Sequence, residues 1–530
     1  MIEVETDSHL WSESYDRELA DIFAVQDEIA AKVGEALKVV LMGADSRPIR
    51  PIPETSIDVY SDYLLARQKL ANMSYVGAGE AELLLQDVIE RDPQYAPAYA
   101  ALAGTYQTMA GWGALSYSEA SARMKPLVEQ ALSLDSDLAE AWEFLAYARG
   151  VQGDLEGARM AEDRARELDP QNPVVLTRQI LRWVWSHEPE RGLVYADELL
   201  RVDPLSPKGL RVIASQFRRL GRREDVERMF ERMRSIDPKN TWYLWGAVFL
   251  ASSRGDLVSA LEFTEEAVSI DTSDPEGPSG AAMLYLELGD FAAAKFWNDA
   301  ALRLDSEAPH PRLIAALIHL YRDEETEAVA IARELTQPGF RNRMMSRAIA
   351  LRIEAGPDMA ASNYEEIIAR YLTHYPELAD GRLPAWSLFF ESHELFEFFV
   401  VSLDLASVYR KAGEEAKAGA LLSLVESELP HWPRTALWRY GVADVQLHAL
   451  RGEKEKALAA LQEHADTGMR DHWRWQLLHN PNLDSIRDTP EFAAIVAEIE
   501  ADMAEQLARV REMERNGELE PIPEVSAATH

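Results

Sequence analysis

The stretch "AEAWEFLAYARGVQGDLEGARMAEDRARELDP" (residues 139–170) reads as two helices and the turn between them. Trp142, Leu145, Ala146 and Arg149 stand at i, i+3, i+4 and i+7, the spacing of one helix face. Gly153-Asp154 ends that helix, because glycine accepts the left-handed conformation that closes a helix. Ala158, Glu162 and Ala165 mark the second helix, and small residues there let the two helices approach closely. Pro170 stops the unit, since the residue before a proline is pushed out of the α region.

The unit recurs. Asp135, Asp169, Asp203, Asp237, Asp271 and Asp305 close "LSLD", "RELD", "LRVD", "RSID", "VSID" and "LRLD", and each interval is 34 residues. Pro170, Pro204 and Pro238 follow three of them, and Asp92-Pro93 is an earlier copy. The glycine turn returns as Gly255-Asp256, Gly289-Asp290, Gly413-Glu414 and Gly452-Glu453. Units start near 62, 96, 139, 173, 207, 241, 275, 309, 342, 399 and 438. The interval from 96 to 139 is nine residues too long, which "GWGALSYSE" (111–119) accounts for as an expanded turn; a second excess lies around 377–398. A unit this thin cannot bury its own apolar faces, so stacked neighbours must share one continuous core.

The 530-residue chain has a net charge of −36 at pH 7 and a pI near 4.7. Such a surface repels phosphate backbones and anionic lipid, which argues against non-specific binding of nucleic acid or membrane. There is no cysteine, so disulfides, thiolate zinc sites and cysteine nucleophiles are excluded. The first 20 residues are polar and acidic, without the basic start and apolar run of a signal peptide. The most aromatic run, "LPAWSLFFESHELFEFFVVSL" (383–403), is broken by Glu391, His393, Glu394 and Glu397 and fails as a membrane span. No phosphate-cradling glycine loop, H-E-x-x-H or G-x-S-x-G pattern occurs. His464, His472 and His479 fall close together but not at the spacing of ligands on one helix face, and pairs such as Glu265-Glu266 read as solvated. A non-enzymatic chain needing no metal or cofactor is expected.

A 34-residue period of helix, glycine turn, helix and Asp-Pro resembles the tetratricopeptide repeat. The resemblance implies an all-α, right-handed solenoid whose first helices line an inner groove, with positions 2, 5, 9, 12 and 13 of each first helix facing inward. For the unit from Pro207 these are Lys208, Arg211, Ser215, Arg218 and Arg219, in a segment (207–238) with nine Lys/Arg against five Asp/Glu. For the next unit they are Trp242, Trp245, Phe249, Ser252 and Ser253, a stripe separate from the core stripe Leu244, Ala247, Val248 and Ala251. Flanking units add Trp185, Leu317 and Tyr321. Arginine beside aromatic rings suits a protein or peptide segment bearing carboxylates and apolar anchors. The expected ligand-binding set is therefore Lys208, Arg211, Arg218, Arg219, Trp242, Trp245, Phe249, Trp185 and Tyr321. The plainer reading is that the basic residues offset acidic neighbours and the tryptophans pack against adjacent helices.

"SHLWSESYDRELADIFAVQDEIAAKV" (8–33) resembles the closing hairpin and helix of the TolB-like amino-terminal domain, a small α/β domain found ahead of tetratricopeptide arrays in bacterial regulators. Leu10-Trp11, Glu13, Tyr15-Asp16-Arg17, Asp21-Ile22-Phe23 and Gln26-Asp27-Glu28-Ile29-Ala30 carry that likeness. "HWRWQLLHNPNLDSIRDTPEFAAIVAEIEADM" (472–503) resembles the segment that closes the same architecture. The expected division is a hairpin-plus-helix remnant of that domain (1–42), a linker (43–56), the repeat array (57–376), further helix pairs with an insertion (377–475), capping helices (476–515) and a disordered tail (516–530).

In proteins of this type the preceding part carries a winged-helix DNA-binding domain or a class III nucleotide cyclase, so the chain is expected to be shortened at its N-terminus. The implied function is a non-catalytic interaction module, the sensory or partner-docking part of a bacterial signalling or transcriptional regulator. The alternatives are the regulatory domain of a class III adenylate cyclase-type protein and an envelope assembly scaffold. The compartment expected of the chain as written is the cytoplasm, or the periplasm if a membrane-anchored part precedes it.

Overall fold

The structure, a computed structural model, describes residues 2–3, 8–9, 55–71, 75–111, 115–184, 186–238, 240–337, 344–382, 393–432, 442–468, 470 and 472–520. β1 (Ile2–Glu3) and β2 (Ser8–His9) pair antiparallel, with Ile2 opposite His9 and Glu3 opposite Ser8. The helix expected over 17–41, Trp11 and Tyr15, the linker up to residue 54 and the tail from residue 521 lie outside the described residues.

From Ile57 onward the described chain is helical, and successive helices form pairs. The pairs are α1 (Ile57–Ala71) with α2 (Tyr75–Arg91), α3 (Ala96–Gly111) with α4 (Tyr117–Leu134), and α5 (Ala139–Val151) with α6 (Leu155–Leu168). There follow α7 (Pro173–Val184) with α8 (Leu193–Val202), α9 (Pro207–Arg219) with α10 (Arg223–Ile236), and α11 (Thr241–Ser252) with α12 (Leu257–Ile270). Next come α13 (Glu276–Leu288) with α14 (Phe291–Leu304), α15 (Pro309–Tyr321) with α16 (Glu325–Leu335), and α17 (Met344–Ala360) with α18 (Tyr364–His374). The last pairs are α19 (His393–Lys411) with α20 (Glu415–Glu428) and α21 (Ala443–Leu450) with α22 (Lys454–Asp466). The architecture is an all-α solenoid of tetratricopeptide-type helix pairs.

Local chemistry explains the repeat. Gly153, Gly255 and Gly289 take φ values of 80°, 77° and 89°, and the following Asp154, Asp256 and Asp290 cap the second helix through the amides of Gly157, Ser259 and Ala293. The recurrent aspartate has its own task. Its backbone N–H closes the second helix, and in Asp135, Asp169, Asp271 and Asp305 the carboxylate accepts the amide two residues on. This Asx turn aims the chain at the next first helix. The seam is lined with small side chains: Ala158, Ala161 and Ala165 have no exposed surface.

The core has two large bodies. One runs from Val59 to Ala161, the other from Leu176 to Leu519. At their junction lies a buried polar group: Glu162, 2% exposed, pairs with Arg182 at 3.2 Å, beside Glu143, also 2% exposed, neither of whose carboxyl oxygens has a hydrogen-bond partner. Burial first, and then Glu162, raises the pKa of Glu143 well above the usual carboxylate range.

The second body closes on itself. The long helix α24 (Pro490–Asn516), preceded by the single turn α23 (Asp484–Arg487), touches not only α22 beside it but also α12 and α13. Gln506 accepts from the Leu257 amide at 2.8 Å and donates to the Gly255 carbonyl at 2.7 Å. Tyr285 donates to Glu514 at 2.8 Å, and Arg511 pairs with Asp290. The turns after α11 and α22 meet backbone to backbone: a β carbon on Gly255 would stand 2.3 Å from the Gly468 carbonyl oxygen, and one on Gly468 would stand 2.4 Å from that of Arg254.

This contact sets the first prediction. Gly153→Ala meets open space and should cost only the left-handed penalty, about 1–2 kcal/mol. Gly255→Ala must in addition push one backbone away from another, so its cost in urea unfolding should be at least about twice that. Equal costs at the two positions would show that this closure contributes nothing.

Candidate functional site

The first helices of the pairs share one face, and in the second half of the array the chain covers it itself. Residues 472–487 touch five first helices. Trp473 Nε1 donates to the Glu287 carbonyl of α13 at 3.1 Å. His479 stacks on Tyr321 of α15, ring centres 5.0 Å apart. Trp475 lies under the guanidinium of Arg352 in α17, 4.0 Å away. Asn482 donates to Asp404 of α19 at 2.8 Å and to Gln446 of α21 at 2.9 Å, and Ser485 donates to the Ala449 carbonyl at 3.0 Å. Trp473 and Trp475 are each 1% exposed, so this segment is core as much as ligand.

Charge is handled closely at the head of the segment. The buried Glu287 carboxyl faces Arg474 and the amides of residues 472–474, with His472 Nδ1 3.8 Å away. Burial outweighs these neighbours and raises its pKa to about 8. His479 is pushed down by burial, so the ring stacked on Tyr321 is neutral at pH 7. Burial likewise raises the Tyr321 hydroxyl well above its ordinary range.

The sequence-derived residues divide into two sets. Arg211 stacks over Trp242 and Arg218 over Phe249, each 4.9 Å from the ring centre. Lys208 lies one turn earlier on α9, and all five side chains are half-buried. The repeat resemblance had named these residues as one inner stripe; which ring each arginine meets is given by the structure. The others do different work. Arg219 is 3% exposed and donates to the carbonyls of Val184 at 3.0 Å, Ser186 at 3.3 Å and His431 at 2.6 Å, with its guanidinium over Trp432. Burial lowers its pKa to about 10. It ties α7 to the chain after α20. Beside it, His187 stacks on His431 and meets Glu428 at 3.3 Å.

Trp245 packs edge-on to Gly280, where a β carbon would stand 3.3 Å from the indole, and so seals α11 against α13. Tyr321 is taken by His479 and Phe291. For Arg219, Trp245 and Tyr321 the plainer reading, packing against neighbours, describes the contacts found. Trp185 lies outside the described residues.

Sequence reading missed one feature, a buried polar cluster in the second half. Arg352 Nε and Nη2 donate to Asp404 at 2.9 and 2.7 Å, and Tyr371 donates to the same carboxylate at 3.2 Å. The available signal was charge inside two apolar helical runs, Arg352 and Glu354 in "IALRIEA" (349–355) and Asp404 in "VVSLDLASV" (400–408). Among the described residues no group of three or more His, Asp or Glu is placed to hold a metal ion, and no helix is long and apolar enough to cross a membrane.

The fold and this face define a tetratricopeptide-type solenoid closed by its own C-terminal segment. No protein-family model matches the chain. It is 36% identical over 102 residues to a Rhizobium meliloti (strain 1021) protein named "Putative adenylate cyclase 3"; the match covers 19% of this chain and 17% of that protein's length. Among solved structures, the human IFIT1 dimer with m7Gppp-AAAA is 13% identical, covering 78% of this chain and 95% of its own, with a TM-score of 0.38. The P58(IPK) TPR domain is 15% identical, covering 86% and 99%, with a TM-score of 0.19. The fold assignment rests on the chain's own helix pairs.

Glu287 gives a pH prediction. Between the ordinary value of 4.5 and about 8 the folded protein keeps a proton that the unfolded chain releases, so stability falls as pH rises through this window. Glu287→Gln should make the fall between pH 5 and 8 shallower by up to about 1.4 kcal/mol per pH unit, read from urea unfolding. An unchanged slope would place the titration elsewhere.

Proposed function

We propose that the chain is a non-catalytic protein-interaction module of a bacterial regulator, taking a peptide or protein segment on the first-helix face of α9 and α11. The observation that carries this reading is the second half of the same face, which already grips a peptide segment: residues 472–487, held by aromatic, amide and guanidinium contacts. The upstream stretch of the face presents a comparable surface chemistry. Arg211 and Arg218 are each stacked on an aromatic ring, which pairs a cation with an apolar face of the kind that acidic and apolar side chains of a partner would meet. Lys208 extends the positive charge, and the local balance of +4 stands against −36 for the chain. The partner is a segment with acidic side chains and apolar anchors, in keeping with a surface that repels polyanions elsewhere.

The test is fluorescence anisotropy with labelled peptides that pair Asp/Glu with Leu/Phe. Arg211→Glu with Arg218→Glu should weaken binding about tenfold or more, from the loss of charge-assisted hydrogen bonds. The melting temperature should stay within a few degrees of the parent. Unchanged affinity would remove this face from partner binding.

A second reading is favoured by the partial match to the protein named as an adenylate cyclase. Under it the chain is the regulatory portion of a cyclase-type signalling protein. Adding the purified chain to the catalytic portion of that relative should change cyclic AMP output, and no change at saturating chain concentration would count against the reading.

A further inference from the structure

A cavity of about 500 Å³ opens between α17, α19 and the closing segment, a volume typical of small-molecule sites. Leu320, Ile353, Met359, Val408 and Leu478 give it an apolar wall. Its charged floor is already paired: Arg352 and Asp404, 7% and 5% exposed, meet each other at 2.7 Å. Four further charges line the cavity nearer to solvent. Arg487 donates to the carbonyls of Leu477, Leu478 and Asn480 and stands 3.4 Å from Asp484, so these two are engaged as well. Glu325, at the start of α16, and Lys411, at the end of α19, differ from them. Both are exposed, and neither forms an ion pair among the described residues.

Helix α17 shows where these two charges stand. Glu325 Oε1 lies 3.4 Å from the place that a β carbon on Gly356 would take, and Lys411 Nζ meets Met359 Sδ at 3.8 Å. Gly356 and Met359 are three residues apart, a rise of about 4.5 Å along the helix. A carboxylate and an ammonium thus sit over adjacent turns of one helix, beside an apolar hollow, without pairing. A ligand with one charge would be attracted by one of them and repelled by the other. A ligand with both charges close together is matched by both. We infer that this cavity binds a free α-amino acid with an apolar side chain. Its ammonium faces Glu325, its carboxylate faces Lys411, and its side chain, leaving the same carbon, enters between Ile353, Val408 and Leu478. The charges lining the cavity also balance, with Glu325, Asp404 and Asp484 against Arg352, Lys411 and Arg487, which suits a ligand of no net charge. Because the wall is shared by α15, α17, α19 and the closing segment, binding would strengthen the closure.

Calorimetric titration of the whole chain tests this with L-leucine, L-phenylalanine, N-acetyl-L-phenylalanine (no ammonium), L-phenylalaninamide (no carboxylate) and glycine (no side chain). Leucine or phenylalanine should bind saturably and raise the melting temperature. The two singly charged analogues should bind about fivefold more weakly than phenylalanine, and glycine about tenfold more weakly or worse. Glu325→Gln and Lys411→Gln change exposed side chains without ion pairs, so both variants should melt like the parent. Lys411→Gln should weaken phenylalanine about fivefold but not phenylalaninamide, and Glu325→Gln should weaken phenylalanine equally but not N-acetylphenylalanine. Absence of saturable binding by both leucine and phenylalanine would overturn the inference. So would a singly charged analogue or glycine binding as tightly as phenylalanine, or either variant binding phenylalanine like the parent.

Discussion

The constraint on which this structure depends is the two-sidedness of its first helices. Each must bury one side against its own partner and the next pair, and its other side still carries side chains that need a cover, such as Tyr321, met by His479, Arg352, met by Trp475, and Asp404, met by Asn482. A helix pair has no third layer to offer. The chain supplies one from a distance, laying residues 472–487 across five pairs, so that a single core reaches from Leu176 to Leu519. Nearest-neighbour stacking makes the array; the returning segment turns half of it into a closed body.

The closure is made at several points by different chemistry. Arg219 holds the chain after α20, Gln506 and the paired glycines hold the turn after α11, and Tyr285 with Asp290 holds α24. Most of these groups sit at helix ends, where orphan backbone carbonyls and amides need partners in any case. Using helix ends as attachment points costs the array little, because it satisfies groups that stacking leaves open. The upstream pairs, with their core from Val59 to Ala161, lie outside this closure and meet it through the buried Glu143–Glu162–Arg182 junction.

The repeat, its helix boundaries and its glycine turns were legible because they are local. Gly153-Asp154, the 34-residue aspartates and the alanine seam act over four or five residues, and each does in the structure what helix-ending chemistry requires. The resemblance to the repeat named Arg211, Arg218, Trp242 and Phe249 as inner-face positions, but which ring each arginine stacks on was not legible. Arg219 shows the limit of that logic. By spacing it belongs with Arg218, yet it is consumed by carbonyls, one of them 212 residues away.

The sequence by itself determined an all-α solenoid, its repeat length and the absence of cysteine chemistry, because periodicity, capping and composition are written in consecutive residues. Only the tertiary structure decided which stretch of the shared face is occupied, which arginines are structural, and that Arg352, Asp404 and Asn482 meet beside a cavity. Those outcomes depend on superhelical geometry. Small rotations between successive pairs accumulate until residues hundreds of positions apart either meet or miss, and no local pattern encodes that sum.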